Sequence, residues 1–181
     1  MSVATSIPAL ADDGLVVDTQ PVVQNFNPDG SVSGATIGRS RLTRRADGLA
    51  ANVQVKGLIP GGVYTFWWVA IPVGGSFPDD AFVAYGDSAV VGNSGRLGAN
   101  MAATTGQSSI EGFLIGFQPL DFDLLTAEIH VEIAYHGLAT DAGDDLRDWL
   151  SDFWTGTTCP ESAFQNVTGQ PHCPVYIVAI H

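Results

Sequence analysis

The chain is short of charge. Only 14% of its 181 residues are Asp, Glu, Lys or Arg, whereas 45% are hydrophobic. Disorder needs the opposite balance, so a folded chain is expected. Cations are scarcest: Lys+Arg number 7 against 19 Asp+Glu, a formal net charge of −12. A nucleic-acid binder needs cations to displace counterions from phosphate, and anionic membrane surfaces attract basic segments. Both partners are set aside on net charge. The acidity favours solubility, tolerance of salt, or cation binding.

Long apolar runs are also missing. No stretch of about 18 apolar residues occurs, so no transmembrane helix and no membrane insertion is expected. The opening "MSVATSIPALADDG" has neither a basic n-region nor an apolar h-region. If the protein is exported, its leader has been removed. There are 2 cysteines, Cys159 and Cys173, and no C-x-x-C pattern. They bracket the polar, turn-rich loop "CPESAFQNVTGQPHC". A disulfide is the natural reading, and it implies an oxidising compartment, secreted, periplasmic or extracellular. Closing a loop of about 15 residues contributes about 3 kcal/mol in the chain-entropy model. Two thiols in a leaderless cytosolic protein stay open as the alternative.

What is present is turn chemistry and alternation. A chain of 181 residues suits one domain with a sizeable core. Gly 21 and Pro 10 favour short strands over long helices. Residues 1–20 read as a loose segment, with "GLVVDTQPVV" able to form an edge strand, and residues 21–181 as a single domain. "RSRLTRRADGLAANVQVKGL" reads as two strands turning at Ala46-Asp47-Gly48. "VYTFWWVAIP" is apolar on both faces, as in a strand covered on both sides. Adjacent residues of a strand point oppositely, so Trp67 and Trp68 cannot form one sugar platform. "SAVVGNSGRLGANMAAT" reads as a hairpin turning at Asn93-Ser94-Gly95. "TAEIHVEIAYHG" alternates strictly: Ile129, Val131, Ile133 and Tyr135 against Glu128, His130, Glu132, Ala134 and His136.

One segment has helical spacing. Leu146, Trp149, Leu150 and Phe153 recur at i, i+3, i+4 and i+7. Asp141, Asp144 and Asp145 suit its dipole at the start, and Gly156 suits a stop. The expected fold is mainly β: a single-domain antiparallel β-sandwich or flattened barrel, with one short amphipathic helix near residues 141–155.

"GLIPGGVYTFWWVAIP", "AVVGNSGRLGANMAA", "AEIHVEIAYHG" and the paired cysteines before "VYIVAIH" together resemble an uncharacterised family of secreted bacterial β-rich proteins. Its members carry a "GL-P-G-YT-WWV" strand and an "AEIH" strand ending in "HG". The resemblance spans roughly residues 40–181 and implies export and a β-rich fold, but supplies no activity. The family often has extra cysteines after the "WWV" strand, and "IPVGGSFPDD" has none.

Three chemistries can be weighed. His130 and His136 share a face, but six residues of strand span about 20 Å, too far for one ion. His130 and Glu132 are about 7 Å apart along the strand. If the "VYIVAIH" strand runs antiparallel beside them, His181 could complete a Zn or Cu site. Calcium could use Asp79, Asp80 and Asp87, or the "DAGDD" run, although neither matches EF-hand spacing. For hydrolysis there is no G-x-S-x-G elbow, and Glu111, Glu128 and Glu132 mark no cleft for a paired-carboxylate mechanism.

The expectation is a secreted, non-catalytic β-sandwich that binds a partner or ligand, or joins a surface assembly. It could pair with a second copy through an edge strand or its N-terminal segment. No cofactor is the simplest expectation. The alternative is a small metal-binding protein or metalloenzyme using the strand histidines.

Overall fold

A computed structural model describes residues 15–26, 32–76, 79–105, 122–151 and 175–181. Cys159, Cys173, Phe153, Gly156 and Glu111 lie outside the described residues. The described residues form eight antiparallel strands: β1 (Val16–Phe26), β2 (Val32–Arg45), β3 (Gly48–Lys56), β4 (Gly62–Ile71), β5 (Phe82–Val90), β6 (Arg96–Thr104), β7 (Glu128–Leu138) and β8 (Val175–Ile180). Their order in the sheet is β5-β4-β7-β8-β1-β2-β3-β6. The sheet curls into a nearly closed barrel, the mainly β architecture expected from the sequence.

The β2–β3 hairpin is the one that the sequence spells out. Ala46 and Asp47 form its two-residue connection, and Arg45 faces Gly48. β3 from Leu49, and β2 from Arg39, alternate between buried and more exposed positions, as one wet and one packed face requires. β2 also carries a bulge. Val22 of β1 pairs with Gly38 but Val23 pairs with Thr36, so Ile37 is the extra residue. A Cβ on Gly38 would sit 2.1 Å from the Gln54 carbonyl oxygen of β3. Only glycine lets the two backbones approach that closely.

β4 is buried along all ten residues. Tyr64, Phe66, Trp68 and Ala70 join the interior cluster with Leu42, Val53, Met101, Ile129, Val131 and Ile133. The other face is covered by short helical turns, α1 (Ala139–Ala142) and α2 (Leu146–Trp149), joined by a 3-10 turn at Gly143–Asp145. Val63 packs there against Ala142 and Trp149, with Leu146 and Leu150 beside them. Leu146, Trp149 and Leu150 of the predicted apolar stripe are thus used, on one short helical segment of 11 residues that changes pitch within it. Gly143 at φ 55 interrupts it, because that conformation does not continue a right-handed helix.

Two strand readings need correction. β1 is not an edge: it lies between β8 and β2, and the boundary drawn at residue 20 falls inside it. β5 and β6 are not a hairpin. Among the described residues each pairs on one side only, β5 with β4 and β6 with β3, and they are the two ends of the sheet. The link at 91–95 crosses the unladdered seam between them. Side chains close that seam: a Cβ on Gly86 of β5 would meet Met101 Cε of β6 at 2.0 Å.

Gly38→Ala should force β2 away from β3. Overpacking of this kind costs about 1–3 kcal/mol, read as a lowered urea midpoint with an unchanged slope.

Candidate functional site

β7 sets out its histidines as its alternation dictates. Ile129, Val131, Ile133 and Tyr135 face the interior. His130 lies on the outer face between two carboxylates of its own strand. Its Nε2 donates to Glu128 Oε1 at 2.7 Å, and its Nδ1 lies 3.4 Å from Glu132 Oε1. Partial burial disfavours the imidazolium, but the hydrogen bonds and charges of Glu132 and Glu128 outweigh it, and the pKa rises above 6.5. When the ring is protonated, both nitrogens donate to carboxylates and neither offers a lone pair to an ion.

His181 does not join this group. β8 runs antiparallel beside β7, as the metal reading required, and His130 pairs with Ile180. His181 instead exchanges both backbone bonds with Ile129, at 2.9 and 3.2 Å. Residues paired across a ladder share a face, so the His181 ring enters the interior with Ile129, opposite to His130. The proposed His130, Glu132 and His181 cluster is divided by the sheet.

The acidic trio is divided as well. Asp80 accepts from the Ser76 amide and hydroxyl, capping its own turn with Asp79 beside it. Asp87 lies within β5 opposite Phe66 and accepts from the Ser88 amide. About five residues of strand, roughly 16 Å, separate that turn from Asp87. Among the described residues, no three His, Cys, Asp or Glu side chains are arranged to hold a metal ion. His136 is fully buried, with its Nε2 2.7 Å from Thr65 Oγ1, which also accepts the Trp67 indole N–H. That chain ties the outer faces of β4 and β7 together beneath the helical turns.

Two arrangements emerge that no motif marks. The first is inside. His181 Nδ1 lies 2.5 Å from Asp18 Oδ1 on β1, and its Nε2 lies 2.8 Å from Ser40 Oγ on β2. Arg44, two pairs further along the inward side of β2, is nearly buried and donates to the Ala127 carbonyl. Burial lowers the His181 pKa, Asp18 opposes that, and Arg44 adds to it; the result is below 6.5.

The second is outside. Arg39, Arg41 and Arg45 of β2 point outward and are exposed. Lys56 of β3 and Arg96 of β6 are exposed and face each other across their ladder. These are five of the chain's 7 cations. Removing their charge from the net −12 leaves −17 on everything else. Between them lies an amide row. Arg39 donates to Gln54 at 3.0 Å, Gln54 to Asn52 at 3.4 Å, and Asn52 to Asn100 at 2.8 Å. The outward residues of β1 beside them include Val17, Thr19 and Pro21, and no outward residue of the four strands is acidic. None of the five cations has an ion pair with a described carboxylate.

No protein-family model, curated protein or solved structure matches this chain.

His130 and His181 should titrate apart. His130 stabilises the fold at pH values below 6.5, and that contribution fades as pH rises through its raised pKa. His181 has the opposite sign: stability is retained at higher pH and is lost as pH falls from 6.5 towards its lowered value. Imidazole NMR titrations should place His130 above and His181 below 6.5. Glu132→Gln should lower the first, and Asp18→Asn should lower the second further.

Proposed function

We propose that this protein is an exported binding barrel that holds an anionic polysaccharide on the outer face of β1, β2, β3 and β6. The observation that carries the reading is the segregation of charge. In a chain of 19 acidic residues, five of the 7 cations share the outer face of these strands, on which no carboxylate points outward. Arginine suits carboxylate or sulfate because its planar fork donates two parallel hydrogen bonds. The Asn52, Gln54 and Asn100 amides beside it offer donors and acceptors to sugar hydroxyls.

Ionic screening makes such a face usable on an acidic protein. At physiological salt, charges are screened over about 8 Å. A ligand touching β2 feels Arg39 and Arg41, while the acids elsewhere are damped. Nucleic acid is a poorer fit, because its phosphates are spaced at one charge per about 1.7 Å of duplex and would meet the remaining −17 more strongly.

The test is isothermal titration with polygalacturonate at 0.15 M salt, with neutral dextran as the control. Binding should be seen with the first polymer only and should vanish near 1 M salt, where screening reaches about 3 Å. Arg39→Gln and Arg41→Gln should each weaken it about tenfold, or 1.4 kcal/mol. An absence of heat with polygalacturonate and with a sulfated polymer, or binding unchanged in the double variant, overturns the reading. Self-association lost in the same variants would instead assign the face to the acidic surface of a second copy.

A further inference from the structure

Beneath that face, on the inward side of the same strand, lies a group that polysaccharide binding does not use. Ser40 points into the barrel between outward Arg39 and Arg41, and it is fully buried. Its hydroxyl is 2.8 Å from His181 Nε2, and the other ring nitrogen is 2.5 Å from the Asp18 carboxylate. The order of atoms matters here. A carboxylate can only accept, so Nδ1 carries the ring proton and donates to Asp18. The Nε2 of a neutral ring is then a lone pair, and the Ser40 O–H donates to it. A hydroxyl, an imidazole acceptor and a carboxylate fixing the tautomer form the arrangement that activates serine for attack. A satisfied buried hydroxyl needs only one acceptor, and a backbone carbonyl would suffice. Here three strands each send a side chain to one line.

We propose that Ser40 is a nucleophile for small acyl esters, with His181 as its general base and Asp18 as the positioning residue. In the first step Ser40 Oγ attacks the ester carbonyl carbon while its proton passes to His181 Nε2. The carbon–oxygen bond to the alcohol breaks, the alcohol leaves with that proton, and the acyl group remains on Oγ as an ester. Water then attacks, giving its proton to Nε2. Ser40 recovers it as the acid departs. Arg44, whose positive charge is felt at His181, favours the negative charge that develops on the carbonyl oxygen. The interior also contains the Trp68 indole N–H, buried without an acceptor among the described residues, a rare state for a donor. An acyl oxygen entering the barrel would be an acceptor for it.

The seam between β1 and β8 supplies the route. Their ladder has two pairs, Val23 with Val178 and Gln24 with Ile177. Continuing that register would bring Ile180 to Pro21 and His181 to Gln20. Proline has no N–H to give, and the ladder stops. Beside the triad the two strands are held by the His181 side chain rather than by backbone rungs. Segments with few backbone bonds open locally at less cost than global unfolding. Ser40 and the His181 side chain are fully buried, so entry requires an opening at the unladdered gap that leaves the His181–Asp18 and His181–Ser40 contacts in place, and this condition restricts the substrate to an acetyl-sized acyl group.

The full chain is exposed to diisopropyl fluorophosphate, then analysed by intact mass and peptide mapping, with hydrolysis of p-nitrophenyl acetate followed in parallel. One adduct on Ser40 is expected, together with ester turnover whose rate climbs with pH through an ionisation below 6.5, the direction found for His181. Ser40→Ala should abolish both, and Asp18→Asn should slow both about tenfold or more. A folded wild-type protein that stays unmodified, or is modified elsewhere, overturns the proposal. So do modification and turnover that survive Ser40→Ala. Should either variant fail to fold by circular dichroism, the wild-type peptide map decides alone. Polygalacturonate binding is unaffected by these outcomes, because Arg39 and Arg41 lie on the other side of the sheet.

Discussion

A β-sheet stands on the pairing of backbone hydrogen bonds, and this barrel is best understood from the two places where pairing stops. One is the seam between β5 and β6, the two ends of the sheet. The other is the part of the β1–β8 boundary beyond Pro21. Unpaired strand edges recruit other chains, so each gap has to be closed by something else. Met101 reaches across to Gly86 in the first. His181 reaches to Asp18 and Ser40 in the second. Side chains take over where the ladder ends, and the second of these closures also assembles the chemistry.

The period of two in a strand distributes all the functional groups. On β2 it sends Arg39 and Arg41 out to water and Ser40 in to the core. On β7 it keeps His130 outside with Glu128 and Glu132. On β8 it turns His181 inward because its ladder partner is Ile129. A shift of one residue would exchange these faces entirely. Two bulges interrupt the ladders, Ile37 on β2 and Gly86 on β5, where Phe66 pairs with Asp87 but Trp67 with Tyr85.

Much of this was legible in the sequence. The alternation of "TAEIHVEIAYHG" gave the correct inner and outer faces of β7, and the two-sided apolar run of β4 announced a strand covered on both sides. The Ala46-Asp47-Gly48 turn located its hairpin. Other readings failed for a common reason. The Asn93-Ser94-Gly95 turn looked like a hairpin because turn chemistry is local, whereas pairing partners are chosen across the barrel. The segment Val16–Phe26 read as a possible edge strand because nothing within it reveals that β8 would close against it. Net charge hid the basic face, since an average over the chain carries no position. No spacing signal could have joined Asp18, Ser40 and His181, which are 163 and 141 residues apart as hydrogen-bonded pairs.

The sequence by itself determined that this chain is a β protein with an acidic balance, where most strands run, and which residues of each strand share a face. Those properties follow from nearest-neighbour chemistry: turns, alternation and the cost of burying charge. The tertiary structure alone decided which strands became neighbours. That choice separated His130 from His181, gathered five cations onto one surface, and brought a serine, a histidine and an aspartate from three strands into one line. Register across a closed sheet is a property of the whole ladder, because each strand must satisfy two partners at once, and no single segment contains it.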